Sequence, residues 1–199
     1  MRTYRRWVLA GLILLMVPLI LTVYAKGDRD ETKFRWDLVS VEFTTGTLSA
    51  GGSASALAND GSKITLTGSG TFQPDDAEDV TGGGNWKTFD SKGANTGNGT
   101  YKVKRLVRWD LAPGTFPLKI DNIGNPLDFR AGLVVLRIRY SDGEQGILGV
   151  SCHVGDSPNT IFEGITATKG FVGYWRNLAP AAGVDANRTA FHVVPEDED

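Results

Sequence analysis

Cysteine and histidine stand side by side once in this chain, at Cys152-His153, the first place to look for a nucleophile and its base. Neighbouring residues of a β-strand point to opposite faces, so thiol and imidazole cannot meet directly if the segment is extended. The alternation puts Cys152 with Leu148, Val150 and Val154, the company of a small buried residue. His153 falls on the other face with Ile147, Gly149 and Ser151 and stays a candidate acid or base. Glu163 is the second candidate. It stands between Ile161 and Ile165, and a carboxylate on an apolar face has to be paired, solvated in a cavity or shifted in pKa. It is either a cavity acid or the cross-strand partner of Arg137 or Arg139. Asp185-Ala-Asn-Arg-Thr189, with Phe191 and His192 behind it, offers one more Asp and one more His. Asp185 and Asn187 equally suit a turn, through side-chain bonds to their own backbone.

Other chemistry is excluded by type or spacing. A single cysteine cannot form a disulfide within the chain or a cysteine-based zinc cluster, and two distant histidines leave little for a metal site, so neither metal nor cofactor is expected. Gln73-Pro-Asp-Asp-Ala-Glu-Asp79 lacks the Asp-x-Asp-x-Asp-Gly spacing of a calcium loop and reads as a solvated acidic loop. Gly82-Gly-Gly84 lacks the lysine and following helix of a phosphate loop. Trp36, Trp86, Trp109 and Trp175 are either core or the aromatic lining of a ligand cavity, with Trp86, Trp109 and Trp175 the ligand-binding candidates. Asn98-Gly-Thr and Asn187-Arg-Thr fit the glycosylation acceptor pattern, which matters only in a eukaryotic secretory pathway.

The elements that position these side chains read as β-strands. Leu133–Tyr140 and Ile147–Val154 flank Ser141-Asp-Gly143, a hairpin signature that puts Val134, Leu136, Ile138 and Tyr140 on one face and Arg137 and Arg139 on the other. Ser53–Ala58 and Lys63–Thr67 make a second hairpin around Asn59-Asp-Gly61. Phe34–Phe43 changes alternation phase after Leu38, which predicts a bulge or burial on both faces. Thr81–Phe89 and Gly99–Asp110 form the next pair, joined by a polar loop over Ser91–Asn98. Its second strand is read as strictly alternating, with Tyr101, Val103, Arg105, Val107 and Trp109 on one face and Lys102, Lys104, Leu106, Arg108 and Asp110 on the other. Leu111–Arg130 holds Ala-Pro-Gly, Phe-Pro and Asn-Pro and is a long excursion, the kind that forms the rim of a site. Ile161–Trp175 and Asn187–Val194 complete about eight to ten strands by run-and-turn counting. The fold expected is all-β, an antiparallel barrel, with a β-sandwich as the alternative.

Thr160-Ile-Phe-Glu-Gly-Ile-Thr166 resembles the Gly-x-Phe-x-Gly-Ala-x-Gly signature near the C-terminal end of allene oxide cyclase and dirigent-type barrels. It departs from it with Asn159-Thr for the preceding glycine-rich turn and Ile165 for alanine. The likeness implies a closed eight-stranded barrel, allene oxide cyclase/dirigent-like or calycin-like, with an apolar cavity, and carries no catalytic residue across.

Around this domain, taken as 34–194, the ends differ. Arg2, Arg5 and Arg6 precede an uncharged run from Trp7 to Ala25, an N-terminal hydrophobic helix that is either a cleaved signal peptide or a retained membrane anchor with the domain outside the cytoplasm. Residues 26–33 read as a charged linker and 195–199 as an acidic tail. Without residues 1–25 the 21 basic residues become 18 against 23 acidic, a formal charge of −5, which argues against nucleic acid as a partner. The function expected is a non-enzymatic exported domain that binds a small hydrophobic ligand or a surface partner. The alternatives are an isomerase or cyclase using a barrel cavity with Glu163 or His153 as acid or base, and a structural envelope module. Oligomeric state has no signature in the sequence.

Overall fold

Glycine-punctuated runs rich in threonine, valine and aromatics, which favour strand over helix, pair wherever a turn lets them. A computed structural model of the chain describes residues 32–114 and 120–195. The expected export segment and N-terminal helix at 1–25, most of the expected linker and residues 196–199 lie outside the described residues. Among them, strands are more numerous than expected: β1 (Lys33–Glu42), β2 (Thr47–Ala50), β3 (Ser53–Ala58), β4 (Lys63–Thr67), β5 (Ser69–Gln73), β6 (Asp76–Val80) and β7 (Gly83–Phe89) come first. Then come β8 (Asn95–Ala112), β9 (Ile120–Asp121), a 3-10 turn (Pro126–Asp128), β10 (Phe129–Tyr140), β11 (Gln145–Cys152), β12 (Gly164–Lys169), β13 (Val172–Asn177) and β14 (Gly183–Val194). No helix among the described residues is long and apolar enough to cross a membrane.

All the strands belong to one sheet rather than two stacked ones, and it wraps in a ring. Antiparallel pairing runs β3, β4, β7, β8, β10, β11, β12, β13 and back to β3. A second path leaves β10 through β14, β1 and β5 and rejoins at β7. β2 pairs antiparallel with β1, and β9 adds to β2 in parallel, which makes the sheet mixed.

The central hairpin forms as expected. Leu133 pairs with Ser151 and Arg139 with Gln145, and the connection turns at Gly143, whose φ of 96° suits glycine. Val134, Leu136, Ile138 and Tyr140 are buried, while Arg137 and Arg139 are exposed. The four apolar side chains join Ala54, Ala56, Ile64, Leu66, Leu148, Val150 and Ile165 in one contiguous core. The β3–β4 hairpin also forms at the expected residues. In β1 the phase change is a real irregularity between Val39 and Val41, and Asp37, Leu38 and Val39 are all buried.

Four readings are corrected. Ile161–Trp175 is not one strand: Gly170, at φ 55°, and Phe171 turn it into the β12–β13 hairpin. The acidic stretch is only partly loop, because Asp76–Val80 pairs with β5. The polar loop before β8 is shorter than Ser91–Asn98, since pairing with β7 begins at Asn95. β8 does not alternate strictly. Register shifts opposite Val135/Leu136 and Arg137/Ile138 leave Val107 and Lys104 without partners, so each is an extra residue that inverts the faces after it. Tyr101, Val103 and Leu106 are therefore buried while Arg105 and Val107 face out.

Candidate functional site

Glu163 lies just before β12, not within a strand. Gly164, at φ 110°, starts β12 and lets the chain turn there. The Glu163 carboxylate reaches between the end of β11 and the middle of β14, where Oε2 accepts the His153 backbone N–H at 2.7 Å and Oε1 accepts that of Thr189 at 2.7 Å. Asn177 Nδ2 donates to the Glu163 carbonyl at 2.9 Å. The two sequence candidates thus meet, but through the amide of His153. Neither Arg137 nor Arg139 is the partner of Glu163; both stay exposed on the outside of β10, and the cation near it is Arg188. Burial pushes the Glu163 carboxyl up to about 7, against two N–H bonds and Arg188, which all favour the charged form. The cavity it shares with Cys152, His153, Val41, Leu48 and Phe129 is about 20 Å³, room for one water and no substrate.

Cys152 is buried, and burial together with the Glu163 charge pushes its thiol up, so it is a poor nucleophile. A maleimide is expected to label Cys152 only after denaturation; stoichiometric labelling of the native protein within minutes would contradict this burial.

The Asp185 and Asn187 reading is corrected in part: both side chains bond across to β3, and only the Asn187 amide, which donates to the Ala179 carbonyl at 3.0 Å, reaches the backbone of the loop before β14. Asp185 Oδ1 accepts the Ser53 hydroxyl at 2.6 Å, and Asn187 Oδ1 accepts the Ser55 N–H at 2.9 Å. Asn187 holds φ at 50°, a conformation asparagine tolerates, as β14 crosses the end of β3. The tryptophans do not converge. Trp86 is buried with its indole N–H on the Thr100 carbonyl, Trp109 packs against Phe34, Phe72 and Phe191, and Trp175 lies outside at 60% exposure.

Sequence reasoning missed a second constellation, around His192 and Asp121. The excursion from Leu111 to Arg130 returns along β9, whose Asp121 pairs with Leu48 of β2. Asp121 Oδ1 accepts the Ile123 N–H at 2.9 Å, and Oδ2 meets His192 Nε2 at 2.8 Å with both side chains buried. His192 stands on β14 opposite Arg35 of β1 and Phe129 of β10, and the Phe129 ring meets the imidazole edge-on at 5.4 Å. A Cβ on Gly124 would approach His192 Cδ2 to 3.0 Å, so glycine lets the loop lie on the ring. His192 Nδ1 is buried without a hydrogen-bond partner, and no hydroxyl or thiol among the described residues completes a triad with it. Beside it Arg35 grips buried Asp37 through two bonds, at 2.7 and 2.9 Å, and the Asp37 and Asp121 charges hold the guanidinium pKa above its ordinary value.

His192 and Arg35 border a cleft of about 410 Å³, within the range of small-molecule sites. Ile123, Val193 and Val194 give it apolar walls, and Thr71, Asn125 and Asp128 give it polar ones. Among the described residues no group of three or more His, Cys, Asp or Glu can hold a metal ion. No family model, curated protein or solved structure matches the chain. The likeness at Thr160–Thr166 therefore stands on those residues alone. The one sequence signal near Asp121 is the proline-broken excursion, whose composition suggests a rim but does not mark the residue it meets.

Proposed function

We propose that this chain is an exported, non-enzymatic binding protein, secreted or held by residues 7–25, whose eight-strand ring closes as an antiparallel β-barrel of calycin-like form. Its ligand lies outside the ring, in the cleft against His192, and is a small molecule with an apolar body and one neutral hydrogen-bonding group. The cleft carries the reading: it has substrate-sized volume, apolar walls from β14 and a buried His–Asp pair behind one polar edge. Arg35 is neutralised by Asp37, which favours a neutral polar group over a second charge. The cavity at Glu163, by contrast, has room for one water, so it supports neither an isomerase nor a cyclase. A packed core is what a purely structural module needs, and that second reading is separated by filling the cleft.

The neutral probe N-phenylnaphthylamine has an apolar body and a single N–H. Its fluorescence is expected to rise on mixing with the protein, and Val194→Trp, which fills the cleft from its rim, should weaken binding by about tenfold or more while leaving Tm near the wild-type value. Equal binding by both proteins, or none by either, would sink the cleft reading and leave the structural module.

A further inference from the structure

The two irregularities of β8 have a chemical effect. With strict alternation Arg105 would share the inward face of Tyr101 and Val103. The extra residue at Lys104 turns it outward instead, so Lys102, Lys104 and Arg105 all stand on the outer surface. There they meet Arg137 and Arg139 of β10: Arg137 is directly opposite Arg105, and Arg139 directly opposite Lys102. Like charges placed directly across an antiparallel pair destabilise it, and nothing in the fold requires two such pairs together. Of these five cations only Arg105 is neutralised, by Glu78 of β6, which packs beside β8. Asp110 pairs with Arg108, and Asp142 and Glu144 with Lys169, so Lys102, Lys104, Arg137 and Arg139 make no ion pair with any described residue. This concentration of positive charge sits on a domain whose formal charge is negative.

The same face holds a cleft of about 290 Å³ bordered by Lys102, Lys104, Arg139 and the hydroxyl-bearing Thr100 and Ser141, with no carboxylate in its lining. The residues that carry these cations are about 6.6 Å apart along a strand, counted over alternate positions, and about 4.8 Å apart across adjacent strands, measured at the backbone. That spacing matches neighbouring anionic groups on one molecule better than a single ion. The tyrosines beneath, Tyr101 and Tyr140, are buried and offer no ring for a base to stack on.

We propose that the outer face of β8 and β10 binds a multivalent oxyanion, a molecule with at least two phosphate, sulfate or carboxylate groups, independently of the cleft at His192. Titration calorimetry of the full chain with tripolyphosphate, a sulfated tetrasaccharide and orthophosphate tests this. Tripolyphosphate, the tetrasaccharide or both are expected to bind at least about tenfold more tightly than orthophosphate, and whichever binds identifies the source as phosphate or sulfate. Affinity should fall steeply with added salt. The paired change Lys102→Glu with Arg139→Glu is expected to remove binding, while Val194→Trp leaves it intact; the milder pair Lys102→Gln with Arg139→Gln should lower it by about tenfold if charge reversal impairs folding. Binding that survives both pairs in folded protein, an orthophosphate affinity equal to that of the multivalent probes, or no binding by the wild type would overturn the proposal.

Discussion

Leu136→Ala is expected to destabilise the domain by about 2 to 5 kcal/mol, measured by urea denaturation. Leu136 is fully buried at the middle of β10, between Leu148 of β11 and Leu106 of β8 in register, so truncation leaves a hole lined by strands paired on both sides. Arg139→Ala, three residues on, should stay within about 1 kcal/mol of wild type, because Arg139 is exposed and faces Lys102 rather than an acid. The contrast matters more than either value. A larger cost at Arg139 would mean that the outer and inner faces of β10 had been exchanged, and the ring with them.

Raising the pH through 7 is expected to weaken the fold, and Glu163 is the reason. Its folded pKa of about 7 lies above its ordinary value of 4.5, so the native state holds the proton more tightly than the unfolded chain. The stability gained from that proton is fully present below about 4.5 and is lost as the pH rises through about 7. The difference amounts to about 3 kcal/mol, with the energy of each pKa unit taken from the ordinary linkage relation. Glu163→Gln resembles the protonated acid and does not titrate. Its stability should change less between pH 5 and pH 8 than that of the wild type, by about 2.5 kcal/mol, the part of the effect that falls in that window. Parallel pH profiles for the two proteins would show that the carboxylate is charged throughout and is a simple clasp between the amides of His153 and Thr189.

Strand pairs built on strong turns are legible in the sequence. Asn59-Asp-Gly61 and Ser141-Asp-Gly143 set hairpins whose alternation then decides which residues are buried, and the burial of Cys152 follows from the second of them. What the sequence hides depends on contacts distant along the chain. Asn95–Asn98 looks like a loop because it is polar and contains glycine, yet a Cβ on Gly97 would come within 3.2 Å of the Trp86 ring, so glycine there makes room for a tryptophan packed across the strand. The bulges at Lys104 and Val107 carry no turn residue; they arise because β10 demands Leu106 inside. The partner of His192 is hidden for the same reason: Asp121 sits 71 positions away, on an excursion with no periodicity to place it. Glu163 stands out as a carboxylate among apolar residues, but its partners are backbone amides, which no sequence pattern marks.

The central claim is that the cleft beside His192 holds a small molecule, and native mass spectrometry of the protein, purified from its own source without denaturation, tests it most directly. The wild type is expected to carry an added mass of one small molecule, which N-phenylnaphthylamine displaces and which Val194→Trp never acquires. A bare polypeptide mass for both proteins, or an adduct that persists when position 194 is filled, would contradict the claim.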